Sequence, residues 1–164
     1  MPVEPPLPAG FVVARATAAD APELVVLQRC CWVTEAILND TLAIPALHET
    51  LDEVAAWIER LHVWTVRANG RLVAAVRAGA DGERWEIGRL MVAPDQRGGG
   101  LGRWLLRYAE EAAPAGTRTI ALFTGSKSER NLRMYRAAGY DLQAAPEAEL
   151  GAHIVGAVFL AKAV

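Results

Sequence analysis

Cysteine is scarce in this chain. Of its 164 residues only two are cysteines, Cys30 and Cys31. They are adjacent in a segment with helical spacing, which excludes a disulfide framework and a CxxC metal site and leaves them as small apolar residues of a core or its margin. A basic excess is also missing. Seventeen Lys and Arg against nineteen Asp and Glu give a formal net charge of −2, which argues against a general nucleic-acid or membrane-surface binder. Any anion site has to be local. No stretch approaches the roughly 18 to 20 apolar residues of a membrane span, and the start, "MPVEPPLPAG", has neither a basic n-region nor an apolar h-region. The expectation is a soluble, cytoplasmic protein. The remaining composition, 52% hydrophobic and 22% charged, is that of a packed globule of one domain.

Residues 1–10, with four prolines, read as a flexible arm, and one domain is expected over 11–164. "FVVARAT" (11–17) has strand character. A helix follows over "DAPELVVLQRCCW", with Asp20 and Glu23 spaced as a capping box and Leu24, Leu27 and Cys31 on one face. Residues 33–49 have weak periodicity and contain Pro45, so a loop or broken helix is expected. Thr50 and Glu53 open a further helix on a second capping box, with Leu51, Val54, Ile58 and Leu61 as its stripe. "HVWTVRANGRLVAAVRAG" is two strand runs around Asn69-Gly70, the signal for a type I′ hairpin. A second turn at Ala80-Asp81-Gly82 leads into a third run, "ERWEIGRLMVAP". A helix carrying Leu101, Leu105, Tyr108 and Ala112 on one face then ends near Pro114 and Gly116. "TRTIALFT" is a buried strand, a last helix covers about 128–138 with Gly139 at its end, and "HIVGAVFLAKAV" closes the chain as a strand. The order β-α-α-β-β-β-α-β-α-β-β predicts an α/β fold, one sheet with helices on both faces.

The segment "LMVAPDQRGGGLGRWLL" (90–106) passes from strand to helix through Gly98, Gly99, Gly100 and Gly102. Backbone N–H groups there have no Cβ to keep a ligand away, at the positive end of a helix, so the loop reads as an anion cradle. Arg97 precedes it, Arg103 and Arg107 follow, and no acidic residue stands between 96 and 107. It lacks the GKS or GKT of a Walker loop, and Arg103 and Leu105 stand where a GxGxxG fingerprint needs glycine.

"LMVAPDQRGGGLG" resembles the acetyl-CoA-binding signature of the GNAT acetyltransferases, L-x-V-x-P followed by Q/R-x-x-G-x-G/A. "NLRMYRAAGYD" resembles the family's second signature, a helix carrying Tyr before Gly-aromatic. The resemblance implies a mixed, mostly antiparallel sheet splayed after its fourth strand. It also implies acetyl-CoA as co-substrate, without a metal, held by the amides of Arg97, Gly98, Gly99, Gly100, Leu101, Gly102 and Arg103 at its pyrophosphate. Pantetheine would lie along Leu90, Met91 and Val92, with an N–H near Met91 polarising the thioester carbonyl.

By the same resemblance Tyr135 is the general acid, and Glu86, eleven residues before Arg97, is the base, directly or through water. An ion pair of Glu86 with Arg84 or Arg89 is the other reading of that carboxylate. Ser128 stands where the family often has Asn, which leaves open whether Ser128 or Asn131 touches CoA. Lys127 and Arg130 are candidates for its 3′-phosphate. The acceptor would lie against Trp32, Glu35, Glu49, Glu147, Glu149 and His153, a cleft that would suit a small-molecule or peptide amine of cationic character. The implied activity is N-acetylation of a primary amine, with a propionyl group admissible near Phe123 and Met134. The alternative is a non-catalytic acyl-CoA-binding regulatory module. No nucleic-acid or membrane partner is expected, and a homodimer is common among the proteins it resembles.

Overall fold

The structure is a computed structural model that describes residues 6–164. Of the arm expected over 1–10, residues 1–5 lie outside the described residues. The remainder turns at Gly10 into β1 (Phe11–Arg15), with Phe11 N donating to Pro8 O at 3.2 Å. Three helices follow: α1 (Ala21–Asn39), the one-turn α2 (Pro45–His48) and α3 (Leu51–Arg60). The chain then forms β2 (His62–Ala68), β3 (Arg71–Asp81), β4 (Arg84–Val92), α4 (Leu101–Glu111), β5 (Thr119–Gly125), α5 (Glu129–Ala137), β6 (Asp141–Gln143) and β7 (Ala157–Ala163). The seven strands make one sheet in the order β1-β2-β3-β4-β5-β7-β6. Every pairing is antiparallel except that of β4 with β5.

Turn chemistry sets the register. Asn69 and Gly70 have φ of 50° and 81°, the two positive values a type I′ turn requires. They align β2 with β3 from Ala68↔Arg71 outward. On the far side of β3 the turn at Gly82 places Gly79 opposite Glu86 and Arg77 opposite Gly88. The residues between these alternate to the other face, where Ala78 pairs Ile87 and both are buried. Trp85 belongs to that second face and donates its indole N–H to Ala109 O of α4 at 2.8 Å. α1 and α3 cover the first face, where the Trp57 ring lies 4.9 Å from the Arg77 guanidinium carbon. The helices therefore lie on both faces, as the element order implies.

Three local expectations are corrected. The first helix does not end near Trp32 but runs to Asn39, closed by Asp40 in the left-handed region at φ 51°. Its second half shows Val33 and Ile37 to solvent while Ala36 is buried. Apolar residues on opposite sides erase the amphipathic stripe by which a helix is recognised. Asp20 and Glu23 make no capping box. Instead Asp20 accepts from Thr17 N at 2.7 Å, closing a box over the 3-10 turn Ala18–Asp20, while Asp20 and Glu23 both grip Arg67, at 2.7 and 2.8 Å. The closing strand begins at Ala157 rather than His153, because residues 147–152 wind into a 3-10 turn. The Thr50–Glu53 box forms as expected, with both bonds made, at 2.7 and 3.2 Å.

Trp85 is 1% exposed and joins the start of β4 to α4. Its replacement by Ala removes a buried ring and leaves the Ala109 carbonyl without that donor. Trp85→Ala is expected to cost about 3–5 kcal/mol of stability, read from urea denaturation; a loss below about 1 kcal/mol would contradict this placement of the ring.

Candidate active site

β4 pairs with β5 only through Arg84↔Thr119, Trp85↔Ile120 and Glu86↔Ala121. Beyond that point the strands part, as the expected splay requires. The parting coincides with a bulge. Ala75 pairs Met91 and Arg77 pairs Gly88, so Arg89 and Leu90 together face the single residue Val76. Arg89 takes φ of 47°, a conformation that costs a non-glycine residue about 1–3 kcal/mol unless its surroundings impose it. They do. The Arg89 guanidinium forms an ion pair with Glu49 and lies 5.5 Å over the Trp32 ring. Glu49 is held in turn by the Trp57 indole N–H at 2.8 Å and by Gln28 Nε2 at 3.3 Å. Burial alone would raise the Glu49 pKa, but the charge and hydrogen bonds of Arg89 and the Trp57 donor hold it below the ordinary carboxylate value.

The parted strands open a cleft of about 780 Å³ bounded by α1, the β3–β4 face, the glycine loop and α5. Arg97, Gly98, Gly100, Leu101, Gly102 and Arg103 all line it, whereas Gly99 does not. Gly98 and Gly100 have φ of 88° and 84°, values that a side chain disfavours. Gly100 is the N-cap residue of α4, and its carbonyl accepts from Trp104 N at 3.0 Å. The loop therefore carries the positive end of an eleven-residue helix into the cleft. Leu90 and Val92 of the bulged strand line the same wall. Met91 buries its side chain in the core, which leaves its backbone for any role here.

Across the seam, α5 presents Ser128, Asn131 and Tyr135. Ser128 stands at the N-cap position but does not cap: its hydroxyl donates to Glu35 of α1 and accepts from Asn39 Nδ2 at 3.1 Å. Asn131 Nδ2 lies 3.3 Å from Glu35 Oε1 and 3.4 Å from Thr124 Oγ1. Glu35, expected beside the acceptor, thus gathers both candidate cofactor contacts. Tyr135 is buried, with its ring edge-on to Tyr140 at 6.1 Å between centroids. Burial, with Glu35 adding to it, pushes its hydroxyl well above the usual phenol pKa, so it holds its proton.

The cleft's other end is built on the face shared by Arg77, Gly79, Glu86 and Gly88. Glu86 is half-buried and lies 3.3 Å from Arg84, which also bonds Glu149 at 2.5 Å. Burial raises the Glu86 pKa and Arg84 opposes it, for a net upward shift. His153 stacks on Phe123 with centroids 3.7 Å apart, and Trp32 lines the wall beneath Arg89. Glu147 is exposed, and Cys30 also lies on the surface while Cys31 is buried.

The sequence reading missed Arg77, Asn39 and Thr124, and offered Arg89 only as a partner for Glu86, whereas Glu86 pairs with Arg84 and Arg89 with Glu49. Counting back from the Gly82 turn would have placed Arg77 beside Glu86. Nothing in the sequence marks the positive φ of Arg89.

A single sheet parted beside a glycine loop at a helix N-terminus defines an α/β protein built to hold an extended anionic ligand between two strands. The comparisons agree. A family model described as "Acetyltransferase (GNAT) family" matches residues 27–140, and the chain belongs to that family. Its fold is similar to that of a ribosomal-protein-alanine N-acetyltransferase from Brucella melitensis, at 23% identity and a TM-score of 0.69, covering 93% of this chain and 99% of that one. Salmonella typhimurium yncA, solved with its cofactor acetyl-CoA, matches at 22% identity and 0.71, covering 94% of each chain. A paia N-acetyltransferase from Thermoplasma acidophilum, in complex with coenzyme A, matches at 13% and 0.69, covering 94% and 99%. At these identities the likeness is one of fold. No curated protein sequence matches the chain. Among the described residues no helix is long and apolar enough to cross a membrane, and no group of three His, Cys, Asp or Glu could hold a metal ion.

Burial, with Arg89 adding to it, pushes the His153 pKa down to about 4. The unfolded chain, with an imidazole pKa of about 6.5, binds a proton across that interval that the folded chain does not, so this residue's contribution makes stability rise with pH from about 4 to 6.5. An NMR titration of the His153 ring should show a midpoint near 4; a midpoint near that of a free imidazole would contradict its burial in this wall.

Proposed function

We propose that the protein transfers an acetyl group from acetyl-CoA to the primary amine of a small molecule or peptide, by direct attack with both substrates in the cleft. One observation carries this reading: the parting of β4 from β5 opens directly onto the glycine loop. The residues fit the cofactor. The loop amides from Arg97 to Arg103 suit its pyrophosphate, with Arg97 and Arg103 adding charge. The edge of β4 that β5 leaves free at Leu90, Met91 and Val92 suits pantetheine, added like a strand, and Ser128 and Asn131 face it from α5. Acetyl-CoA supplies an acyl carbon activated as a thioester, open to attack by a neutral amine.

The chain's own groups handle the protons. Glu86 takes one from the acceptor ammonium, directly or through water, and its burial brings its pKa toward the range in which a carboxylate can do so. A backbone N–H near Met91 polarises the carbonyl oxygen, a contribution of about 2.7–4 kcal/mol for one such donor. Tyr135, kept protonated by burial, gives its proton to the departing sulfur. Because a phenol of raised pKa is a weak acid, that transfer has to accompany breakage of the C–S bond rather than precede it.

The base role requires Glu86 ionised. Its upward shift moves the acid limb of kcat/KM above the ordinary carboxylate value of about 4.3, with the rate rising as pH increases through it. Thiol release from acetyl-CoA across a panel of amines, with CoA affinity measured by calorimetry, tests the reading. Tyr135→Phe is expected to lose about tenfold or more in kcat while still binding CoA, and Glu86→Gln to lose about as much and flatten the acid limb. CoA binding with no amine acetylated would make the protein a binding module; failure to bind CoA would overturn the assignment of the loop.

A further inference from the structure

At the acceptor end of the cleft one cation has no carboxylate at ion-pair distance. Arg84 is matched by Asp81, Glu86 and Glu149, and Arg89 by Glu49. Among the described residues no carboxylate lies within 4.0 Å of Arg77, and its guanidinium donates no hydrogen bond. Its guanidinium carbon lies 4.9 Å from the Trp57 ring centroid, and its Nε is 3.8 Å from where a Cβ of Gly88 would be. Gly88, its cross-strand partner, thus has no side chain to crowd it. Burial, with Arg89 adding to it and the more distant Glu49 and Glu86 opposing it, brings the Arg77 pKa down to about 10, so the group is still a cation at neutral pH. A desolvated guanidinium without an anion is an expensive arrangement that an incoming carboxylate would relieve, and its planar fork matches a carboxylate in two parallel hydrogen bonds.

Position narrows the ligand further. Gly79 faces Glu86 and Arg77 faces Gly88 across the antiparallel pair. Arg77 and Glu86 are therefore diagonal neighbours on one face, with backbones about 7–8 Å apart. A short molecule with an amine at one end and a carboxylate at the other spans that diagonal. Of the acidic groups from which the sequence suggested a cationic acceptor, three are already engaged, Glu49 by Arg89, Glu149 by Arg84, and Glu35 by Ser128 and Asn131, and the fourth, Glu147, is exposed and does not line the cleft. The remaining wall, Trp32, Phe123, His153 and Ile154, is apolar or neutral and suits the rest of a small acceptor.

We propose, building on the acetyl-transfer reading, that the acceptor is an amino carboxylate, a small molecule such as an α-amino acid with a free carboxylate close to its primary amine, and that Arg77 binds that carboxylate. A polyamine or an internal peptide lysine lacks the group that Arg77 requires and brings a cation toward it instead.

The test compares amino acids with the same molecules lacking the charge, leucine against isopentylamine and leucinamide, phenylalanine against phenethylamine. Binding to the CoA-saturated protein is followed by calorimetry and turnover by thiol release. The amino acids are expected to bind about tenfold or more tightly than their carboxylate-free partners. Arg77→Met should erase that preference through KM rather than kcat, and Arg77→Lys should keep part of it, with CoA affinity within about twofold in both as the check on folding. Should Arg77→Met fail that check, Arg77→Lys and the matched pairs on the unaltered protein decide the question. Amines acetylated equally well with and without the carboxylate would overturn the inference and leave acetyl transfer standing. Amino acids that bind through Arg77 yet are never acetylated would overturn acetyl transfer and the acceptor assignment with it, leaving Arg77 as a carboxylate-binding group only. No binding of any amino acid would overturn the inference.

Discussion

Arg89 occupies a backbone conformation that an arginine disfavours, and its pairing with Glu49 is the constraint on which the cleft depends. A strand hydrogen-bonded on both sides along its whole length offers no edge to a ligand. The bulge at Arg89 and Leu90 turns β4 away from β5 just beyond Glu86, and the local cost is met by partners drawn from two helices and the segment between them: Gln28 and Trp32 on α1, Trp57 on α3, and Glu49 just after α2. Removing any of these loosens the bend. Removing Glu49 would also leave a guanidinium only 11% exposed without its counter-ion, the more damaging loss of the two.

The same arrangement distributes charge along the cleft. One end is a helix N-terminus with two arginines at its rim, suited to phosphates. The middle is a parted pair of strands with the buried Tyr135 on one side and Met91 on the other. At the far end carboxylates and guanidiniums compensate one another almost completely, leaving Glu86 with a raised pKa and Arg77 without a partner. A group that the protein itself neutralises discriminates little between ligands, which is why the proposed selectivity is placed on Arg77.

Much of this was legible in the sequence where a local rule governs the outcome. Asn69-Gly70 announces its turn because two positive φ values need such residues, Thr50 and Glu53 announce a helix start, and Gly98 and Gly100 mark a backbone that a side chain would strain. What could not be read depends on contacts distant along the chain. Asp20 stands at the N-cap of α1 as expected but makes no capping bond there, because Arg67, 47 residues away, takes its carboxylate, and α1 looked finished at Trp32 because its later apolar residues divide between the cleft and solvent. Glu35 was assigned to the acceptor by the family resemblance, which puts the acceptor against the first two helices and their connection, whereas Ser128 and Asn131, 93 and 96 residues on, draw it to the start of α5.

The account stands on CoA lying in the seam between β4 and β5 with its phosphates on the glycine loop. Amide hydrogen exchange followed residue by residue, with and without CoA, tests this directly. Slowed exchange should appear together at Leu90 to Val92 and at Gly98 to Arg103, as hydrogen bonds form to both stretches. Protection of the loop alone, or of neither stretch while CoA is bound, would contradict the account.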